Sequence, residues 1–134
     1  MKKIMLSLIA LFSIITTAPS FAADDSTIFE LRIYTAPEGK LPNLLARFEN
    51  HTTTLFERHG MINVGYWVPV DEKESNKIYY ILKHKSREAA KASWAAFGAD
   101  PEWQKVHAES IVDGQIVEKV ESIFMNSTEF SAIK

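Results

Sequence analysis

One short segment, residues 28–34, carries a row of side chains that can do chemistry. Glu30, Arg32 and Tyr34 alternate there with apolar residues. Alternation with a period of two is typical of a β-strand, whose successive side chains point to opposite faces. The apolar row is the better match to a layer of helices, so we place the polar row on the face away from the helices.

Arg32 has two interpretations in this row. A guanidinium inside a protein binds an anion or polarises a ligand group, because its planar fork donates hydrogen bonds in pairs. Alternatively, it forms an ion pair across strands or subunits, since a covered arginine needs a carboxylate. Three acidic residues are candidate partners for that pair: Glu30, Glu118 and Glu121.

His84 is the histidine best placed to act in a reaction. It ends another predicted strand, residues 78–84, in register with Tyr80. At a cavity mouth beside Tyr34, it would act as a general base or a haem ligand. The alternative is a solvated histidine at a strand end. Trp67 either lines the same cavity or fills the sheet. The candidate ligand-binding residues are Arg32, Tyr34, Trp67, Tyr80 and His84, with His84 as the catalytic candidate.

The other histidines do not form a metal-binding motif. His51 and His59 lie on one predicted helix, ~12 Å apart along its axis, which is too far to share one ion. The sequence has no His-x-His, no His-Glu-x-x-His and no cysteine, so we expect no metal site. His51 falls on the apolar stripe of that helix, and we expect it to pack against the sheet.

The elements that position these residues follow the order β-α-β-β-α-β. This order predicts a ferredoxin-like α+β fold, with a four-stranded antiparallel sheet and helices on one face. Turn and capping signals set the boundaries: Gly60 closes the first helix, Ser86 caps the second, Gly98 ends it, and Asp100 caps a short third helix. The predicted strands are 28–34, 62–70, 78–84 and 116–125, and the predicted helices are 41–59, 87–97 and 101 to about 111.

The face of the sheet without helices also carries apolar residues. A face that is too apolar for water usually meets a partner. We therefore expect a homodimer in which two sheets pack face to face, the dimeric α+β barrel arrangement.

Residues 1–22 have the pattern of a cleavable signal peptide. Lys2 and Lys3 precede an apolar run, residues 4–15, and Ser20-Phe21-Ala22 puts small residues at the positions that a signal peptidase reads. The alternative is a retained anchor, but the run is shorter than the ~20 residues that span a bilayer. Cleavage near Ala22 would leave one domain, 23–134, in the periplasm or secreted.

The composition of that domain excludes several classes of protein. Removal of 22 of the 134 residues leaves 112, with 13 basic against 17 acidic residues and no basic block, so a nucleic-acid partner is not expected. No second long apolar segment is present, so no membrane association is expected after cleavage. The sequence also lacks a glycine-rich phosphate loop and a nucleophile elbow.

Four short motifs together resemble the NIPSNAP domain. They are Phe29-Glu30-Leu31-Arg32-Ile33-Tyr34-Thr35, Gly39-Lys40-Leu41, His59-Gly60 with Val64-Gly65-Tyr66-Trp67, and Asp100-Pro101-Glu102-Trp103. The resemblance covers residues 28 to about 125. It implies a dimeric α+β barrel, a fold shared with cofactor-free monooxygenases, haem-degrading proteins and binding proteins, and it implies no single reaction.

The sequence departs from the family pattern at two places. Leu82 and His84 occupy positions where the family commonly has a tryptophan and a tyrosine, and the 89–91 region lacks a common arginine. Any pocket built from those groups differs here. The leading hypothesis is an exported homodimer that binds a small, largely apolar molecule in a cavity between the two sheets, without a cofactor.

Three other functions stay open. In a cofactor-free monooxygenase, His84 would be the base and Arg32 or Tyr34 would stabilise an anion. The second is a haem-binding or haem-degrading protein. The third is a dimeric interaction module without a ligand.

Overall fold

The chain folds around one four-stranded antiparallel sheet with the strand order β2-β3-β1-β4. The computed structural model describes residues 27–71 and 76–134. The predicted signal peptide and residues 72–75, between the second and third predicted strands, lie outside the described residues. The order confirms the ferredoxin-like α+β fold. The strands are β1 (Ile28–Thr35), β2 (Ile62–Trp67), β3 (Lys77–His84) and β4 (Lys119–Met125).

The helices lie on one face of this sheet, as the sequence predicts. The first predicted helix has three consecutive parts: α1 (Leu41–Arg47), a π-helical turn (Phe48–Thr52) and α2 (Thr53–Arg58). The second half of the chain contributes α3 (Arg87–Ala99) and α4 (Pro101–Ser110). Among the described residues, no helix is long and apolar enough to cross a membrane.

The π-helical turn corrects the expectation for His51. The side chains of Thr52 and Thr53 donate hydrogen bonds to carbonyl oxygens five residues earlier, at 3.1 and 3.2 Å. The wider turn shifts the phase of the helix, so that Thr52 is buried at 2 % exposure while His51 is exposed. The packed position predicted for His51 is wrong, because a regular helical period carries no signal for an inserted residue.

The faces of β1 are the reverse of the prediction. Register pairs Arg32 with Tyr80, and Tyr80 is fully buried beneath the helices. The Tyr34 ring also packs edge-on against Phe48 of the π-helical turn, with centroids 5.8 Å apart. The polar row of β1 therefore faces the helices. Both rows of this strand are largely covered, so alternation alone does not tell which of them faces the helices.

Tyr80 lies at the centre of the core between helices and sheet. Its ring stacks on that of Tyr66, with centroids 5.3 Å apart, and lies 5.1 Å from Phe48 and 6.0 Å from Phe56. Aromatic pairs at these distances add stability beyond the area that they bury. The core is thus an aromatic layer that fixes the position of β3 under the helices.

The opposite face of the sheet is open and apolar. Ile62, Trp67 and Ile123 point to this face and are each about half exposed, at 52 %, 53 % and 51 %. The C-terminal tail crosses one end of it, where Ile133 lies over Phe29. We call this surface the open face.

Most boundary signals hold, and two fail. Ser86 caps α3 by accepting a hydrogen bond from the Ala89 amide at 3.0 Å, and Asp100 caps α4 in the same way. Gly98 does not end α3, which continues to Ala99. The last strand begins at Lys119 rather than at residue 116, because Ile116 is buried in the core ahead of the strand.

Two glycines near the C-terminal ends of helices differ in backbone conformation, so replacing each by alanine should change the free energy of unfolding in opposite directions. Gly60 has a φ of 78°, so Gly60→Ala should lower the free energy of unfolding by about 1–2 kcal/mol. Gly98 is helical, and no neighbouring atom lies within 4 Å of the position that a Cβ would take, so Gly98→Ala should raise the free energy of unfolding by about 0.5–1 kcal/mol. Urea unfolding measures both. Equal effects of the two substitutions would contradict this account.

Candidate functional site

A buried carboxylate, Glu30, is the centre of the polar network between sheet and helices. Its side chain is 1 % exposed. Four side chains donate hydrogen bonds to its two oxygens: Arg32 Nη1 at 2.7 Å, Trp94 Nε1 at 2.7 Å, Ser122 Oγ at 2.7 Å and His84 Nε2 at 2.9 Å. We call these five residues the Glu30 cluster.

Strand register and one helix bring the Glu30 cluster together. Arg32 follows Glu30 by two residues and therefore shares its face of β1. Ser122 pairs with Arg32 across β1 and β4. His84 pairs with Ile28, which precedes Glu30 by two residues and lies on the same face of β1. Trp94 comes from α3 above the sheet. Three strands and one helix thus converge on one carboxylate.

The hydrogen bonds decide the charge of Glu30. Burial alone would raise its pKa, but the bonds from His84, Ser122, Trp94 and Arg32 outweigh burial and lower the pKa to about 2. Glu30 is therefore ionised near neutral pH. A firmly charged carboxylate surrounded by donors holds its neighbours in position and does not itself exchange protons near neutral pH.

Arg32 is fully engaged inside the protein. Its Nε donates to Tyr80 Oη at 2.9 Å, Nη1 donates to Glu30, and Nη2 donates to Tyr34 Oη at 3.2 Å. The guanidinium also lies 4.2 Å from the centre of the Trp94 ring. Burial would lower the pKa of Arg32, but Tyr80, Tyr34 and Glu30 raise it overall. Arg32 therefore forms the ion pair that the sequence allowed, with Glu30 of its own strand.

His84 is buried, with an exposure of 1 %, so it is not a solvated histidine. A carboxylate acceptor requires a hydrogen on Nε2, so His84 donates from that nitrogen. Nδ1 is enclosed and has no hydrogen-bond partner among the described residues. The expected place beside Tyr34 is wrong, because antiparallel register pairs Tyr34 with Ile78, at the other end of β3.

A cleft of about 460 Å³ adjoins the Glu30 cluster between α3 and β4. It exists because β4 is an edge strand that the helices do not fully cover, so that Val120 is 46 % exposed. Trp94 and Phe124 form its aromatic walls. Phe124 also contacts His84, with ring centroids 6.1 Å apart. We call this space the α3–β4 cleft; its lining residues are Arg87, Glu88, Lys91, Trp94 and Phe124.

Hydrogen bonds link four of the five predicted ligand-binding residues into one network, namely Arg32, Tyr34, Tyr80 and His84, but none of the four lines the α3–β4 cleft. Trp67 does not join them, because it lies on the open face. Sequence analysis did not predict a functional role for Ser122, Phe124 or Trp94. The pairing of β1 with β4 would have pointed to Ser122, since directly opposed residues share a face.

Haem does not fit the Glu30 cluster. An axial ligand must present a free imidazole nitrogen to the iron, but Nε2 of His84 is bound to Glu30 and Nδ1 is enclosed. Within the described ranges, no three histidine, aspartate or glutamate side chains are close enough together to hold a metal ion.

The fold and the cluster define a small α+β protein with a ligand-sized cleft at the uncovered edge of its sheet. Residues 29–132 match the NIPSNAP family, so the chain belongs to that family. This confirms the resemblance seen in the sequence. None of the curated proteins matches the chain.

Solved structures of the same family have the same fold. A NIPSNAP family protein of unknown function from Agrobacterium tumefaciens str. C58 is 24 % identical, with a TM-score of 0.71, over 83 % of this chain and 96 % of that one. A NIPSNAP-like domain protein from Burkholderia xenovorans is 19 % identical, with a TM-score of 0.69, over 80 % and 90 %.

The likeness extends beyond the family. A candidate antibiotic biosynthesis monooxygenase from Chloroflexus aurantiacus J-10-fl is 19 % identical, with a TM-score of 0.52, over 81 % of this chain and all of that one. At this identity the likeness concerns the fold alone.

The charge of Glu30 makes a pH prediction. Its pKa is about 2 in the folded protein and 4.5 when unperturbed, so the unfolded chain takes up the proton first as the pH falls. The contribution, about 3 kcal/mol, is complete above pH 4.5 and is lost as the pH falls towards 2. Glu30→Gln should therefore unfold more easily at pH 7 and lose less stability between pH 5 and pH 2.

Urea unfolding at a series of pH values measures this difference. The comparison with wild type cancels the contribution of other carboxylates. Parallel pH profiles of wild type and Glu30→Gln would show that Glu30 is not the ionised centre of the network.

Proposed function

We propose that this protein is exported, forms a homodimer, and binds a small, largely apolar molecule in the α3–β4 cleft. The observation that carries the proposal is the cleft itself, an aromatic-walled space beside a fully connected polar cluster. Its volume of about 460 Å³ lies within the usual range of ligand pockets. The ligand then lies on the helix side of the sheet rather than between two sheets, where the sequence predicted it.

The walls of the cleft suit a flat apolar ligand. Trp94 is held by its hydrogen bond to Glu30, and Phe124 is held between His84 and the guanidinium of Arg87, which lies 3.5 Å from its ring centre. Rings fixed in this way lose little conformational freedom when a ligand packs between them. Preorganised aromatic walls therefore favour binding by contact area rather than by many polar bonds.

A second apolar pocket offers an alternative place for the ligand. It has a volume of about 290 Å³ and lies on the open face, between the C-terminal tail and the sheet. Phe29, Val64, Ile81 and Ile133 line it. This pocket lacks any residue of the Glu30 cluster, which favours the α3–β4 cleft as the more selective site.

Binding of N-phenylnaphthylamine, a neutral apolar fluorophore, tests the location. Phe124→Ser removes one wall of the α3–β4 cleft, so the dissociation constant should rise about tenfold, as expected for losing a buried aromatic surface. Ile133→Ser makes the matched change in the tail pocket and should leave the constant near that of wild type. Fluorescence titration measures all three proteins, and urea unfolding checks that each is folded.

The outcomes separate the two sites. Weaker binding by Ile133→Ser alone would move the ligand to the tail pocket. Absence of binding by folded wild-type protein would count against a small-molecule binder altogether and favour the interaction module.

The open face supports the homodimer. Its exposed apolar side chains come from an otherwise regular sheet, and two such sheets pack ~10 Å apart when they meet face to face. Ile62 and Ile123 lie near opposite edges of the face, on β2 and β4, and strand register places Lys83, Lys119 and Glu121 on the same face among the apolar residues. Exposed apolar side chains on a sheet face are typical of an interface between proteins.

Ile123→Lys should convert the dimer into a monomer. The substitution puts a charge into the apolar contact, where its desolvation costs several kcal/mol. Val112→Lys is the matched control, because Val112 is 77 % exposed and lies outside the sheet. Sedimentation velocity should give a dimer for wild type and for Val112→Lys. A monomeric wild type, or a dimeric Ile123→Lys, would overturn the assignment.

A cofactor-free monooxygenase is the second candidate function. The observation that favours it is the His84 ring, which Glu30 orients as a carboxylate orients a general base and which contacts Phe124 in the wall of the α3–β4 cleft. In that reaction the base removes a proton from an electron-rich substrate, and the resulting anion reacts with dioxygen. Arg32 is a poor anion stabiliser here, since all three of its nitrogens already have acceptors.

A further inference from the structure

Arg47 is a buried cation at the C-terminal end of α1. The residue is 6 % exposed. Its Nη1 donates one hydrogen bond, to Ser110 Oγ at 3.1 Å, and its guanidinium lies 5.2 Å from the centre of the Trp103 ring. Nε is enclosed and has no hydrogen-bond partner among the described residues. Arg47 is therefore a buried charge whose Nε has no hydrogen-bond partner and whose Nη1 is bound only to a neutral hydroxyl.

No carboxylate balances this charge within the described part of the chain. Arg32, the other buried arginine, is paired with Glu30 and has a raised pKa, whereas burial lowers the pKa of Arg47. Removing an ion from water costs several kcal/mol, while one cation–π contact returns about 1–2 kcal/mol. The contacts of Arg47 are thus too weak to explain its burial.

A cavity of about 300 Å³ adjoins Arg47, between α1, the π-helical turn and α4. Its walls include a second cation, Lys40, and side chains that can donate hydrogen bonds, namely Asn43, Asn50 and His51. Ser110 also lines it, but its hydroxyl already donates to the carbonyl oxygen of His107 at 2.8 Å. Two acidic residues, Glu109 and Asp113, also line it, and Glu109 has a cation of its own in Lys105, at 3.9 Å. The cavity therefore combines a buried, unpaired guanidinium with several neutral donors.

We propose that this cavity binds a small oxyanion, a carboxylate or phosphate group, which supplies the charge that Arg47 lacks. A planar guanidinium donates two parallel hydrogen bonds to such a group, and neutral amides complete its coordination. The cavity is on the helix side of the sheet, so a second copy on the open face does not reach it. The site is separate from the α3–β4 cleft and does not depend on the function proposed for it.

Thermal unfolding in the presence of phosphate tests the site. An ion that binds only the folded state raises the melting temperature by mass action. Once the ion concentration exceeds the dissociation constant, the melting temperature rises with the logarithm of that concentration. At ~10-fold excess over the dissociation constant the rise is about 5 °C for a domain of this size. Phosphate replaces chloride at constant ionic strength, and acetate replaces it in a parallel series.

Asn43→Asp is the decisive variant. Residue 43 is exposed and lies one helical turn before Arg47, so an aspartate there pairs with the guanidinium at i,i+4 spacing. We expect the response to phosphate or acetate to disappear in this variant. Asn126→Asp is the matched control, because it adds the same charge at an exposed position beyond β4 and should keep the wild-type response.

The series also separates binding from general salt effects. Phosphate stabilises proteins by exclusion from their surface, which raises all three melting temperatures alike. A response to phosphate alone identifies a phosphate site, and a response to acetate alone identifies a carboxylate site. Equal curves for wild type and Asn43→Asp in both series would overturn the proposal.

Discussion

A single buried carboxylate, Glu30, connects the layers of this protein. Its two oxygens accept hydrogen bonds from β1, β3, β4 and α3, through Arg32, His84, Ser122 and Trp94. A charge in the interior is tolerated only when donors replace the water that it has lost, and here four donors do so. The same bonds fix the orientation of the His84 ring and of the Trp94 wall. The geometry of the candidate site is therefore a consequence of satisfying one charge.

The two sides of the sheet differ in which side chains are enclosed and which are exposed to solvent. On the helix side, the polar side chains around Glu30 are enclosed and paired, and an aromatic layer around Tyr80 excludes water from them. On the open face, apolar side chains are exposed beside a few charged ones, which is the condition for association. Because β4 is an edge strand that the helices cover incompletely, the cluster remains accessible from its rim. Ligand binding on one face and dimerisation on the other are thus compatible.

The sequence predicted the order of the elements and most of their boundaries, but not the faces. Capping by Ser86 and Asp100 and the left-handed Gly60 are local signals, and each is realised. The sequence predicted neither the continuation of α3 through Gly98 nor the π-helical turn at Phe48–Thr52, because packing outweighs weak local preferences there. Of the hydrogen-bonded network, the sequence found Arg32, Tyr34, Tyr80 and His84, but it predicted as ligand-binding none of the residues that line the α3–β4 cleft. It missed the parts contributed by β4, whose relation to β1 is a matter of pairing and not of local pattern.

What the sequence by itself determined is the αβ order, the family and the residue types available for chemistry, since periodicity and capping depend on neighbours along the chain. The tertiary structure decided which row of β1 meets the helices, and hence whether Arg32 faces a second subunit or its own core. It also decided that one arginine is paired and the other, Arg47, is not. Those outcomes depend on contacts between residues far apart in the chain, because the worth of a buried charge depends on what lies against it.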